Sequence, residues 1–254
     1  MENVIKILCR LCLCTMLCMM FFPVPVCADH AKKVLVFAVA TGFPPYQFET
    51  DEGAPTGLDV DVVKLVCARL GVEVNIVQGP WEDMLTMLRT GKVDCVAGME
   101  MTEKRGRIFD FTNPYYTRRS IVFTLVDNWD INSLDDLRGR IIAGDRHSAA
   151  DERLSRLYPE QRIRILYTES KDKSFRMLRS GEVVALIAPM AVGYHLGFRY
   201  RMALKVIDDV DPGVSVALAV NKGELRLRDR LNAAIVELMQ DGSMATALRK
   251  WKVQ

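Results

Sequence analysis

Met87-Leu-Arg-Thr-Gly-Lys-Val-Asp-Cys-Val-Ala97 returns ninety positions later as Met177-Leu-Arg-Ser-Gly-Glu-Val-Val-Ala-Leu-Ile187. Each copy reads as the end of an amphipathic helix, a glycine that stops it, and an apolar run of strand length. A chain that uses the same helix, glycine and strand twice predicts two small βαβ units. The carboxyl ends of buried strands in such units face a crevice, where open α/β sheets hold ligands. The repeat therefore predicts a two-lobed α/β protein whose sheet edges face a common cleft.

The residues after the first copy carry the most chemistry. Val93 to Ala97 is expected as a buried strand ending at Gly98, followed by a short exposed turn and a helix with Thr102 as N-cap and Arg105 in its first turn. Backbone amides at a helix start favour an anion, and a guanidinium beside them can grip a carboxylate in a two-pronged way. An arginine in a first helical turn is also common on solvated surfaces, so this pattern alone leaves both readings standing.

The order of these residues resembles the family-3 periplasmic solute-binding proteins, the amino-acid-binding components of ABC importers. Thr102-Glu103-Lys104-Arg105 and Phe111-Thr112-Asn113-Pro114-Tyr115-Tyr116 carry the likeness, which extends from about Val34 to Trp251. It implies a periplasmic-binding-protein type II fold, two βαβ sheet domains joined by two crossing strands. Ile121 to Val126 and Val214 to Val220 are the expected crossings. Lobe one would span 34–124 and 215–254, and lobe two 125–214.

The resemblance also implies a site. Arg105 keeps the carboxylate grip. An aromatic at Phe43 stacks over the ligand in the family, although without that likeness Phe43 is equally a plug for its Pro-rich loop. Trp81 stands at a strand-to-helix junction on the sheet edge shared with Phe43 and Gly98; it either completes a sandwich of two rings or fills the core. The loop Gly144-Asp-Arg-His-Ser148 matches one that binds the ligand carboxylate through backbone amides and a small hydroxyl residue. Ser148 keeps the hydroxyl, whereas His147 and Ala149 depart from the family pattern.

Two further departures concern charge. Amino-acid-binding members place an Asp where this chain has Pro189, to hold the ligand's α-ammonium; proline offers neither charge nor donor. Where they carry Ser or Thr, this chain has Glu100. Either the missing negative charge has moved to Glu100, which then receives a ligand cation, or Glu100 folds onto Arg105 or Arg146 as an internal ion pair. The fold family also includes periplasmic cyclohexadienyl dehydratases, for which Glu100 or His147 could act as a general acid. Pro189 removes a natural carboxylate position for that chemistry, and the chain is read as a binding protein rather than an enzyme.

The rest of the sequence sets limits. Lys6 and Arg10 precede an apolar run from Leu11 to Phe22, and Val26 and Ala28 are the small residues a signal peptidase reads, so cleavage is expected after Ala28. The competing reading is a lipoprotein leader with Cys27 acylated. Of seven cysteines, only Cys67 and Cys95 follow residue 28; they are expected as buried thiols, with a disulfide as the alternative. A formal charge of +2 without a basic run points away from nucleic acid. Three histidines, no Gly-x-Ser-x-Gly elbow and no Walker loop offer no metal cluster, cofactor site or common catalytic plan. The expected partners are a small polar ligand and an inner-membrane ABC permease, or a membrane sensor, in the periplasm.

Overall fold

The computed structural model describes residues 34–144, 163–208 and 212–253. The expected leader, Arg146, His147, Ser148 and the helix expected from about Ala149 to Leu157 lie outside the described residues.

Strand β1 (Val34–Ala40) is apolar along nearly its whole length because both of its faces are covered. After it, a hairpin of β2 (Phe48–Glu49) and β3 (Pro55–Thr56) leads into helix α1 (Leu58–Leu70). The α1 stripe of Val63, Val66 and Cys67 is buried, and Gly71 ends the helix in the left-handed conformation that glycine tolerates best. Next come β4 (Glu73–Gly79), α2 (Trp81–Arg89), β5 (Cys95–Glu100), the single turn α3 (Glu103–Gly106), β6 (Phe109–Phe111) and β7 (Tyr116–Arg118). β1 pairs in parallel with β4 and β5, the pairing that βαβ crossovers impose.

A second run of elements follows: β8 (Ser120–Leu125), β9 (Ile141–Gly144), β10 (Arg164–Tyr167), α4 (Lys171–Ser180), β11 (Ala185–Pro189), α5 (Met190–Arg199) and β12 (Leu204–Asp208). The chain then returns through β13 (Val214–Asn221), α6 (Leu225–Gln240) and α7 (Ser243–Lys250). One sheet has the order β4-β1-β5-β13-β6, with β7 also on β13; the other has the order β10-β9-β11-β8-β12.

The sequence repeat is a structural one. Lys92 N and Val93 N both donate to Met87 O, at 2.9 and 3.4 Å, and Glu182 N and Val183 N donate to Met177 O at 3.0 and 3.4 Å. Gly91 and Gly181 turn the chain at φ of 69° and 78°. Each copy then enters the centre of its own sheet, as β5 and as β11.

Three elements differ from their sequence reading. β5 does not end at Gly98 in an exposed turn: it continues to Glu100, because Met99 and Glu100 pair with Ala217 and Val216 of β13. Glu100 is consequently buried. Ile121 to Val126, expected as a crossing between sheets, belongs through Leu125 to β8 of the second sheet, where β11 and β12 pair with its two edges, and Val214 to Val220, the other expected crossing, belongs wholly to β13 of the first. The first passage between sheets therefore falls at Arg119.

Candidate functional site

Asp59 is where the site begins. An aspartate in the first turn of α1 is favoured by the positive end of the helix dipole, but this one is fully buried and must be satisfied by donors. Gln47 Nε2 donates to Oδ2 at 2.6 Å, Tyr115 Oη to Oδ1 at 2.6 Å, and Tyr116 Oη to Oδ2 at 3.4 Å. Arg118 Nη2 lies 3.7 Å from the same carboxylate. Burial pushes the Asp59 carboxyl above its ordinary range, opposed chiefly by the Arg118 charge. These contacts explain the two adjacent tyrosines of the Phe-Thr-Asn-Pro-Tyr-Tyr run: both rings turn inward to the α1 carboxylate.

Arg118, on β7, is the hub of this network. It donates to Tyr116 Oη, its Nη1 lies 3.7 Å from Glu100 Oε1, and its guanidinium covers the Tyr46 ring at 4.6 Å and the Phe43 ring at 5.9 Å. Burial disfavours its charge, but Tyr116, Glu100 and Asp59 together hold it protonated, above the ordinary arginine range. Its buried Nε–H has no acceptor among the described residues.

Glu100 stands between two guanidiniums. Besides Arg118, it meets Arg105 Nη1 at 3.7 Å from Oε2, and Arg105 also donates to the Glu100 backbone carbonyl at 3.0 Å. Thr102 caps the turn as expected, its Oγ1 accepting from Arg105 N at 3.3 Å. Arg105 lies over the Trp81 ring at 5.2 Å. Glu100 thus forms ion pairs with Arg105 and Arg118, and Arg146 lies outside the described residues.

These groups line one side of a cavity of about 380 Å³ between the two sheets. The opposite side comes from the second sheet: Ser120, Thr168, Lys171, Ile187, Ala188 and Pro189. Lys171 is 1% exposed; its Nζ donates to Ile187 O at 2.6 Å and lies 5.7 Å from the centre of the Phe43 ring, which belongs to the other side. Trp81 opens α2 and Lys171 opens α4, at equivalent places of the repeat.

Phe43, Trp81, Gly98, Glu100, Arg105 and Pro189, all singled out from the sequence, thus line a single cavity. Phe43 and Trp81 carry cations over their faces and make no ring contact with each other among those described. His147 and Ser148 lie outside the described residues. Sequence reading missed Arg118, Lys171 and Asp59. Among the described residues no cluster of His, Cys, Asp and Glu could hold a metal ion.

Residues 35–254 match the model of the bacterial extracellular solute-binding proteins, family 3. The chain belongs to this family. This family-3 protein is 26% identical over 222 residues to the L-cystine-binding protein TcyA of Bacillus subtilis, covering 87% of the chain and 81% of that relative. An ancestral arginine-binding protein bound to arginine has a TM-score of 0.82 at 27% identity, over 87% of this chain and 99% of that one. The substrate binding protein of an amino acid ABC transporter has a TM-score of 0.78 at 27% identity, over 86% and 98%. The two-sheet architecture is that of the type II periplasmic binding proteins.

Proposed function

We propose that this protein captures a small carboxylate-bearing solute outside the inner membrane and presents it to an ABC permease. The observation that carries the reading is the cavity itself. Its walls come from two sheets, it is lined by aromatic and proline side chains, and Arg105, Arg118 and Lys171 converge on it. The names of the relatives support the transport context.

In this reading residues 34–118 with 214–254 form one lobe and residues 120–208 the other, exported behind a leader cleaved after Ala28. Two passages, one at Arg119 and one between β12 and β13, permit hinge closure while restricting other motions. Phe43 and Trp81 clasp the body of the ligand, the two arginines take its carboxylate, and Gly98, Glu100, Ser148, His147 and Pro189 shape the remainder. The protein binds and releases its ligand unchanged.

A thermal-shift screen of the stripped, exported protein against amino acids, dicarboxylates, aromatic acids and polyamines tests the reading. A specific ligand at a thousand times its Kd adds roughly 4 kcal/mol of stability, which for a chain of this size means a rise on the order of 10 °C. The same incubations are read by mass spectrometry, and recovery of an unaltered ligand is expected. A screen with no shift in any class would refute ligand capture, and a chemically altered product would point to catalysis.

A further inference from the structure

We propose that Asp59, which does not line the cavity, is a positioning residue for it: its Oδ2 anchors the Nη2 edge of Arg118 from behind, so that the Nη1 edge is held ready for the ligand's carboxylate. The inference rests on the solute-binding reading above, in which Arg118 receives that carboxylate, and adds a residue that acts on binding without touching the ligand.

The two oxygens of Asp59 serve different parts of the structure. Oδ1 accepts the Tyr115 hydroxyl, whose oxygen in turn accepts the Gly98 amide, so it ties α1 to β5. Oδ2 accepts from Gln47 Nε2 at 2.6 Å and from the Tyr116 hydroxyl at 3.4 Å, and lies 3.7 Å from Arg118 Nη2. Gln47 and Arg118 both line the cavity, one from the loop after β1 and the other from β7. A single carboxylate oxygen thus stands behind two lining side chains from separate elements. It fits there because Gly98 has no side chain: a Cβ at that place would collide with Oδ2.

Arg118 needs such an anchor. An arginine side chain has many rotamers, and one that lines a cavity must be ordered before it can grip a carboxylate in a fixed direction. Three rings surround its guanidinium, Tyr46 at 4.6 Å, Tyr116 at 5.4 Å and Phe43 at 5.9 Å, but a ring face attracts a cation without regard to which edge is turned which way. The choice of edge is made at Nη2, which donates to Tyr116 Oη, whose own hydrogen goes to Asp59 Oδ2. The Asp59 charge orients this relay, because a Tyr116 hydroxyl that gives its hydrogen to a carboxylate offers its lone pair to Arg118. With Nη2 held at the rear, Nη1 is directed toward the lining residue Glu100, at 3.7 Å.

Asparagine at position 59 keeps the size of the side chain and removes what the relay uses. Its amide turns two hydrogens toward a setting in which Gln47, Tyr115, Tyr116 and Arg118 all present donors. The Tyr116 hydroxyl is then free to turn, and Arg118 loses its hold at the rear. Asp61, two residues further along α1, is the contrast: it meets Lys250 Nζ at 2.6 Å and Trp251 Nε1 at 2.7 Å, away from the cavity.

Calorimetric titration of the stripped, exported protein tests the assignment. L-glutamate, L-phenylalanine, succinate and benzoate are titrated first, and the tightest binder, or failing these the acid with the largest thermal shift, is carried through the variants. Asp59→Asn and Arg118→Met should each weaken it about tenfold or more, Tyr116→Phe about threefold or more, and Asp61→Asn less than about twofold. Because Asp59 acts through Arg118, adding Asp59→Asn to Arg118→Met should weaken binding by less than about threefold further. A merely structural role shows instead as lost stability in urea with unchanged affinity. A cooperatively folded Asp59→Asn protein of unchanged affinity would overturn the positioning role, and so would a loss that repeats in full in the Arg118→Met background. If Asp59→Asn fails to fold, Tyr116→Phe decides by the same two criteria, and Arg118→Lys stands in for an Arg118→Met protein that does not fold. Unchanged affinity on replacing Arg118 would overturn the positioning role and leave solute capture standing. Silence of the parent protein toward every acid here and every class in the thermal screen would overturn both readings.

Discussion

Tyr115 donates its phenolic hydrogen to Asp59 Oδ1 at 2.6 Å, and its phenolic oxygen accepts the Gly98 N–H at 2.9 Å. One hydroxyl thus ties the start of α1 to the middle of β5, in the wall of the cavity. Tyr115→Phe leaves a buried amide and a buried carboxylate oxygen each short of a partner, at a cost of about 1–3 kcal/mol. Urea unfolding should show that loss with an unchanged m-value. Asp59→Ala should cost more, about 3–5 kcal/mol, because it takes away one of the two carboxylates that compensate the buried Arg118 charge.

Gly98 faces the same network from the backbone. It sits at φ of 71°, and a Cβ there would collide with Gln47 Nε2 and Asp59 Oδ2. Left-handed backbone alone costs an alanine about 1–2 kcal/mol. The collision adds to this, because Gln47 is fixed by Ala40 N, Asp59 and Ala97 O and has nowhere to move. Gly98→Ala should lower the melting temperature by more than Tyr115→Phe does. An equal or smaller drop would mean that the Gln47 side chain repacks.

Much of this is legible in the sequence, and the exceptions have physical causes. The repeat announces both helix–glycine–strand units, and Phe43, Trp81, Gly98, Glu100, Arg105 and Pro189 do share one cavity. Glu100 reads as part of an exposed turn because nothing local shows that β13, more than a hundred residues later, pairs with it. Arg118 has a usable signal: Tyr116 and Arg118 alternate with exposed Thr117, so an inward Tyr116 implies an inward Arg118. Lys171 is legible from the repeat extended six residues upstream, which aligns it with Trp81. Asp59 gives a weaker signal, since an acid in a first helical turn is ordinarily a solvated one.

The cysteines give a prediction about reactivity. Cys67 and Cys95 are free and buried, and burial pushes the Cys67 thiol up to about 11 and the Cys95 thiol well above the ordinary range. A raised thiol pKa leaves little thiolate at any pH below it, and thiolate is the reacting form. At pH 8 the exported native protein should therefore resist a disulfide reagent such as DTNB. Both thiols should react once the chain is unfolded in guanidinium chloride. Rapid reaction of the native protein would show that α1 and β5 open locally.

Glu100→Gln separates the two roles an acid can play at this place. If Glu100 received a ligand ammonium, removing its charge would abolish binding. Its position between Arg105 and Arg118, with 3.7 Å to each, predicts the reverse for an anionic ligand. The glutamine keeps an oxygen for the guanidiniums but no longer neutralises them, so both arginines attract a carboxylate more strongly. Affinity for the best carboxylate ligand of the thermal screen should hold or rise severalfold, and it should become more sensitive to added salt as the uncompensated charge grows. The empty protein should lose stability, since the two guanidiniums then share one less counter-charge. Titrations of the parent and Glu100→Gln proteins at low and high salt measure the affinity and its salt dependence, and urea unfolding of the two measures the stability. A complete loss of binding of that ligand would return Glu100 to the role of cation receptor.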